Sequence, residues 1–313
     1  VGKGYGDICL KPFVIATMLM TTVLPVSANW FNGADSLILA HQKLLEGNTS
    51  ASFDAMIEVL QRSSLPEKES HVSDLLNLAI TEDCGRSLTK SNMPDWLPNL
   101  RLRREMVQTP NRIYHRLLIA GESTRQLVSV KLSRWPDTTV LERQTFNQTG
   151  NTFSFEVDGL SSAISAGLYK LDLQVDAATK DNQFANWSSW LIITQPTPLQ
   201  KISWQDARSW YILQQSETDA KCEKPYLAIA LESKPLGSAE PIWSVDIHHN
   251  LPSTLPKIDV PEGRYWLSVS LIEKRWQGII SIEEVQRIVR TVELPDVDVS
   301  SLTTGKSGDK LPK

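Results

Sequence analysis

Two periodicities divide the chain. Up to about residue 98 apolar positions recur at helical spacing. Leu37, Ala40, Leu44 and Leu45 share one face, and Gly47-Asn48 ends that run. Behind Ser50 or Ser52 as N-cap, Phe53, Met56, Ile57 and Leu60 share the next face. Val72, Leu75, Leu76 and Ala79 make a third, and Gly85 stands where a left-handed C-cap belongs. The pattern predicts a small helical bundle over residues 29–98. Its helix pair resembles one tetratricopeptide-type hairpin, but the unit is not iterated, so a solenoid has no support.

After Pro94, Pro98 and Pro110 the period becomes two. Phe153, Phe155 and Val157 alternate with polar residues, as do Tyr169, Leu171, Leu173 and Val175. Trp187 to Thr194 supplies a further strand, and Pro196-Thr197-Pro198 reads as a linker. The alternation then returns in Leu227, Ile229 and Leu231, in Trp243, Val245 and Ile247, and in Tyr265, Leu267, Val269 and Leu271. Gly167-Leu168-Tyr169-Lys170-Leu171 and Gly263-Arg264-Tyr265-Trp266-Leu267 both read G-x-Y-x-L at the head of a long strand. Immunoglobulin-type sandwiches place a Tyr near the start of the penultimate strand, where its hydroxyl bonds back to the backbone. The expectation is therefore an α+β multidomain chain: the helical bundle, then two tandem immunoglobulin-like β-sandwiches at residues 107–196 and 199–295. The plainer reading is that Tyr after a Gly turn is common strand chemistry. Residues 296–313, rich in Ser, Gly, Asp and Lys, read as a disordered tail.

The beginning of the chain follows neither pattern. Lys3 and Lys11, the apolar run Phe13 to Leu24, Pro25 and then Val26-Ser27-Ala28 read as a secretory signal peptide over residues 1–28, cleaved after Ala28. Twelve apolar residues are too few to cross the roughly 30 Å of a bilayer interior. The expected location is the periplasm, with no membrane span in the mature chain. Cys84 and Cys222 then remain, an even pair in an oxidising compartment; they form a disulfide or stay as two buried thiols.

Composition changes the picture only by exclusion. The 313 residues carry 32 Lys plus Arg and 36 Asp plus Glu, a net charge of −4, with 41% apolar residues. A disordered chain and a disulfide-dense miniprotein are excluded. The mild acidity argues against nucleic acid as a partner.

Motifs of chemistry are thin. Ser87-Leu88-Thr89-Lys90 matches S-x-x-K without its K-T-G companion, and Gly305-Lys306-Ser307 lacks the earlier glycine and the strand–helix setting of a phosphate loop. His248-His249 are neighbours on a strand end and so point apart, which disfavours a shared metal. No cofactor, metal site or catalytic residue is nominated. Arg101, Arg103 and Arg104 form a basic cluster between the bundle and the first sandwich, suited to an acidic partner or an anionic envelope polymer, or simply a solvated linker face. Trp266 points away from the Tyr265–Leu271 apolar face and Trp276 follows it. Such residues anchor interfaces, pack against a neighbouring domain or stack on sugar rings.

Six words taken together resemble a known family: Asp83-Cys84-Gly85-Arg86, Pro94-Asp95-Trp96-Leu97, Leu102-Arg103-Arg104, Gly167 to Asp172, Trp187-Ser188-Ser189-Trp190 and Arg275-Trp276-Gln277-Gly278. It is an uncharacterised, VxrC-like family of exported proteins from vibrio-type marine bacteria, and the likeness runs from Trp30 to about Val292. The resemblance implies a periplasmic protein encoded with the Vxr two-component system, which is linked to cell-wall homeostasis and type VI secretion, and a sensor ectodomain as partner. It supplies no catalytic residues. The expected function is a non-enzymatic interaction or accessory protein. The alternatives are a cell-wall glycan-binding module and, more weakly, a hydrolase of envelope polymers.

Overall fold

The structure, a computed structural model, describes residues 2, 35–62, 66–90, 93–144, 148–176, 185–195, 200–214, 221–234 and 241–294. The segment read as a signal peptide (Gly2 apart), the expected linker 196–198 and the expected tail 296–313 lie outside them.

Three helices come first: α1 (Ser36–Leu45), α2 (Thr49–Arg62) and α3 (Pro66–Ile80). Ala40, Phe53, Met56, Leu60, Val72, Leu75, Leu76 and Ala79 form their shared core, as the periodicity requires. Leu45 is the exception, at 85% exposed. The cap of α2 also differs from expectation. Asn48, read as a stop, is the cap: its side-chain carbonyl accepts from the Ala51 N–H at 3.2 Å. Ser52 instead donates its hydroxyl to the Ala40 carbonyl at 2.7 Å, pinning α2 to α1. Gly85 is left-handed, but it follows α3 by a turn and opens the short 3-10 turn Arg86–Leu88.

The strands are β1 (Asn99–Gln108), β2 (Ile113–Glu122), β3 (Leu127–Arg134), β4 (Thr138–Arg143), β5 (Thr152–Leu160), β6 (Gly167–Val175), β7 (Ala185–Ile193), β8 (Gln200–Trp204), β9 (Trp210–Gln214), β10 (Tyr226–Glu232), β11 (Trp243–Ile247), β12 (Gly263–Gln277) and β13 (Ile280–Leu294). Residues 99–106, expected as a linker, are thus most of β1. Its alternation was hidden because Arg104 and Glu105 are both buried, at 5% and 6% exposed.

β1 lies inside a seven-stranded sheet ordered β11-β10-β12-β13-β1-β2-β5, beside the middle strand β13. It pairs parallel with β13 and antiparallel with β2. A second sheet, β4-β3-β6-β7, faces the β1, β2, β5 end across a core of Leu100, Leu102, Leu117, Phe153, Tyr169, Leu171 and their neighbours. The other end, β10 to β13, is covered by the two-stranded β8–β9 sheet and by Leu251, Leu255, Ile258 and Val260. The 15-residue strand β13 serves both cores: Ile280 and Ile282 enter the first, Ile288 and Val292 the second. Both Tyr hydroxyls donate to a carbonyl four residues upstream, Tyr169 to Ser165 at 2.7 Å and Tyr265 to Pro261 at 2.6 Å.

Between the two cores the same sheet face turns polar. Arg104 forms an ion pair with Glu284 and donates to the Thr194 carbonyl at 2.8 Å. Arg275 reaches Glu284 at 3.7 Å and the Thr194 hydroxyl at 3.3 Å. Gln286 donates to the Gln200 carbonyl and Glu273 accepts from the Gln200 N–H. The chain on either side of the linker is therefore held by side chains from β1, β12 and β13. Buried charge is tolerated here because each charged head has a partner.

Candidate functional site

Strand register decides which nominated residues can act together. On β1, Arg101 and Arg103 alternate onto the outer face of the seven-stranded sheet, whereas Arg104 faces the cores. The basic cluster is therefore split. Arg104 belongs to the buried junction and Arg101 and Arg103 do not. Arg103 donates to Glu283 at 2.7 Å and Arg101 approaches the same carboxylate at 3.6 Å. Glu283 is itself only 2% exposed.

Trp266 and Trp276 share that outer face but lie ten residues apart along β12, roughly 33 Å at strand rise. Trp266 packs on Val107, Tyr114 and Val289 and is partly buried by its own chain. Trp276 lies two strands from Arg101, opposite Ser281, which is in turn opposite Arg101. The Arg86 guanidinium sits 3.7 Å from its ring centroid and the Lys274 ammonium 5.0 Å away. Two cations thus share one indole. Lys274 is also paired in register with Glu283. A depression of about 350 Å³ opens beside it, lined among others by Arg101, Lys274, Glu122 and Glu283. Of the five nominated binding residues, Arg101, Arg103 and Trp276 form one corner.

The corner is held by three segments that converge on the β12–β13 turn. Cys84 is disulfide-bonded to Cys222, 138 positions further along the chain, with Cα atoms 5.1 Å apart. The Trp276 N–H donates to the Cys84 carbonyl at 2.9 Å and the Gly278 N–H to the Gly85 carbonyl at 2.8 Å. The approach is close enough to need glycine. A Cβ at Gly85, where φ is +87°, would lie 2.1 Å from the Trp276 carbonyl oxygen, and one at Gly278 would lie 1.8 Å from the Thr89 hydroxyl. Asp83 accepts from the Gly85 and Ser87 N–H groups and so shapes the turn. Arg86 also meets Glu223, next to Cys222. Gln277 bonds both ways to the backbone of Ile192, fixing the turn to β7.

Further along the outer face a lattice of charge is already satisfied. Glu105 meets Arg287 at 2.7 Å and Arg116 at 3.5 Å, and Arg116 also meets Glu156 at 2.9 Å and Asp158 at 3.2 Å. Burial works against the Arg116 charge, but the carboxylates of Glu105, Glu156 and Asp158 outweigh it and raise its pKa. Burial, with the Glu283 charge behind it, raises the Tyr226 hydroxyl on the neighbouring stretch.

The remaining motifs fall elsewhere. The Ser87 hydroxyl oxygen accepts from Thr49 at 2.8 Å. His248 stacks on Tyr226 with centroids 4.5 Å apart, past the end of β11. Among the described residues no group of three or more His, Cys, Asp or Glu side chains is placed to hold a metal, and no helix is long and apolar enough to cross a membrane.

A second surface was missed in the sequence. The outer face of β4-β3-β6-β7 carries two depressions that share Lys170 and Asp172, with Trp135 and Trp190 at one end. The alternation of β6 gave its polar side, but the partners that sides share depend on strand order, which no local pattern reveals.

No curated protein matches the chain. A family described as "Protein of unknown function (DUF2861)" matches residues 30–293, which include the three helices, the three sheets save the last residue of β13, the disulfide and the corner. The chain therefore belongs to DUF2861, a family of unknown function.

Proposed function

We propose that this is an exported, non-enzymatic interaction protein that docks an acidic segment of an envelope protein at the Arg101–Lys274–Trp276 corner. The observation that carries the reading is the corner itself. Arg101, Arg103 and Lys274 gather around one buried carboxylate, Glu283, leaving positive charge beside an indole that cations already flank. Its backbone is fixed by a disulfide and two glycine contacts, so little ordering remains to be done on binding. The disulfide fits a periplasmic setting, as does the signal peptide read in residues 1–28. The resemblance to VxrC-like proteins supports a sensor ectodomain as the partner and envelope signalling as the context. We read the two cores as immunoglobulin-like sandwiches fused through β1 and β13, with the paired Tyr corners as support.

The test is crosslinking of the full chain in living cells, followed by mass spectrometry. An envelope protein should be recovered, and Arg101→Gln with Lys274→Gln, which leaves Arg103 to balance Glu283, should cut its recovery at least fivefold while the chain stays folded by circular dichroism. Equal recovery with this double variant would remove the corner from the reading. Glycan binding is the second reading. It draws on the other sheet, where aromatic and uncharged polar side chains share one trough.

A further inference from the structure

We infer that the outer face of the β4-β3-β6-β7 sheet is a binding trough for an uncharged glycan chain, an inference that rests on the glycan-binding reading. On β6 the residues Tyr169, Leu171, Leu173 and Val175 enter the core, so Lys170, Asp172 and Gln174 must stand on the other side. Strand register sets three cross-sheet rows there. They are Ser133, Lys170 and Trp190; Lys131, Asp172 and Ser188; and Ser129, Gln174 and Asn186. The depressions over these rows measure about 370 and 390 Å³, and both include Lys170 and Asp172. The two adjoin at these shared residues, and together they make the trough; from Lys170 to Gln174 the rows span roughly 13 Å at strand rise, enough for a short oligosaccharide.

The chemistry of the lining selects the ligand. Lys131 and Lys170 are balanced by Asp137 and Asp172, so the trough has no net charge to offer a phosphate backbone or a strongly acidic or basic peptide. Its other polar groups are the hydroxyls of Ser129, Ser133 and Ser188 and the amides of Gln174 and Asn186. These both donate and accept, as sugar hydroxyls do. Lys170 and Asp172 are paired at 2.9 Å with side chains 43% and 38% exposed. A half-exposed pair is cheap to reopen, and one sugar hydroxyl can donate to Asp172 while accepting from Lys170. At the end nearest the helices, Trp135 and Trp190 meet edge to face, 5.7 Å between centroids. The Trp135 indole N–H donates to the Gln61 carbonyl at 3.2 Å, which fixes its ring while leaving it 40% exposed. A fixed, partly exposed indole closing a polar trough offers the apolar face of a sugar ring somewhere to stack.

Calorimetric and tryptophan-fluorescence titrations of the full chain with the N-acetylglucosamine hexamer and with cellohexaose test the site. Asp172→Ala is the deciding variant because the side chain it removes is half-exposed and its ion pair with Lys170 contributes little to stability. It should weaken binding at least tenfold, with Trp135→Ala weakening it similarly and Trp266→Ala leaving it unchanged. Binding that persists in Asp172→Ala overturns the trough, and its loss in Trp266→Ala would move the glycan to the seven-stranded sheet, leaving the glycan-binding reading in place. Neither heat nor a fluorescence change with either oligosaccharide at millimolar concentration would overturn the trough and the glycan-binding reading together.

Discussion

The two cores begin from the same local chemistry and end with different covers. In the first, Leu171, Leu173 and Val175 follow the Tyr and are at most 1% exposed, enclosed between two full sheets. In the second, Leu267, Val269 and Leu271 follow the matching Tyr and are equally buried. Both cores have partly buried margins, but among the described residues the second sets nine such residues, Trp204, Trp243 and Ile247 among them, beside twelve buried ones, against eight beside twenty in the first, because a two-stranded sheet and the stretch from Leu251 to Val260 stand where a full second sheet would. Identical strand patterns thus specify the centre of a sandwich without specifying how well it is closed. The difference teaches that the second core leans on the first, through the strand β13 that both share and through the polar junction between them.

The junction offers the sharpest way to break that comparison. Glu284 stands between Arg104 and Arg275. Replacing it with Ala strands two guanidinium groups that have little access to water, and breaking such a buried pair costs about 3–5 kcal/mol. Glu284→Ala should lower the urea midpoint by the equivalent amount. The fluorescence of Trp187 and Trp190, against the first sheet pair, should be lost together with that of Trp204 and Trp210. Two separated transitions would mean that the cores are independent units and that β13 only passes between them.

The Tyr pair tests the similarity itself. Tyr169→Phe and Tyr265→Phe each remove one hydroxyl from a bond to the carbonyl four residues before it. Tyr169 is 1% exposed and Tyr265 is 7% exposed, whereas Ser165 and Pro261 lie at the surface, so water can replace part of each lost bond. Each change should cost about 1 kcal/mol. If equilibrium denaturation shows the cost at one position and none at the other, the shared G-x-Y-x-L word marks a common sequence rather than a common corner.

These contrasts also explain what was legible in the sequence. The helical faces and the alternating strands could be read because each is local: Phe53 and Met56 are a turn apart, and Leu171 and Leu173 are two residues apart. Cys84 and Cys222 can be matched because they are the only two cysteines after residue 28. β1 is not legible because its alternation, Leu100 and Leu102 against Arg101 and Arg103, breaks at the buried pair Arg104 and Glu105. Its parallel pairing joins residues near 101 to residues near 281, and no spacing rule reaches that far. For the same reason Arg101 and Trp276 were nominated separately and only the fold makes them one corner. The trough at Lys170 and Asp172 is not legible because its lining comes from three strands and the turn after β3, which only strand order brings together.

The smallest expected effect is one of pH, and it bears on which half softens first. His115 lies on β2 at the irregular step where β2 meets β5. Burial holds its pKa below the ordinary histidine value of about 6.5. As pH falls through 6.5 the unfolded chain therefore takes up the proton before the folded protein does. The unfolded state binds more protons in that window, so His115 lowers stability as pH falls from 6.5 to its own depressed value and has no effect well above 6.5. Urea midpoints of the natural chain and of His115→Gln, taken between about pH 7.5 and 5, should run parallel above 6.5 and diverge below it, with the variant losing less. Amide exchange in β2 and β5 should quicken over the same window while β10 and β12 hold, so that mild acid loosens an edge of the better-covered core before the centre of the poorer one. Identical slopes for the two chains would show that His115 keeps its ordinary proton affinity in the folded protein, and the order of softening would then be set by cover alone.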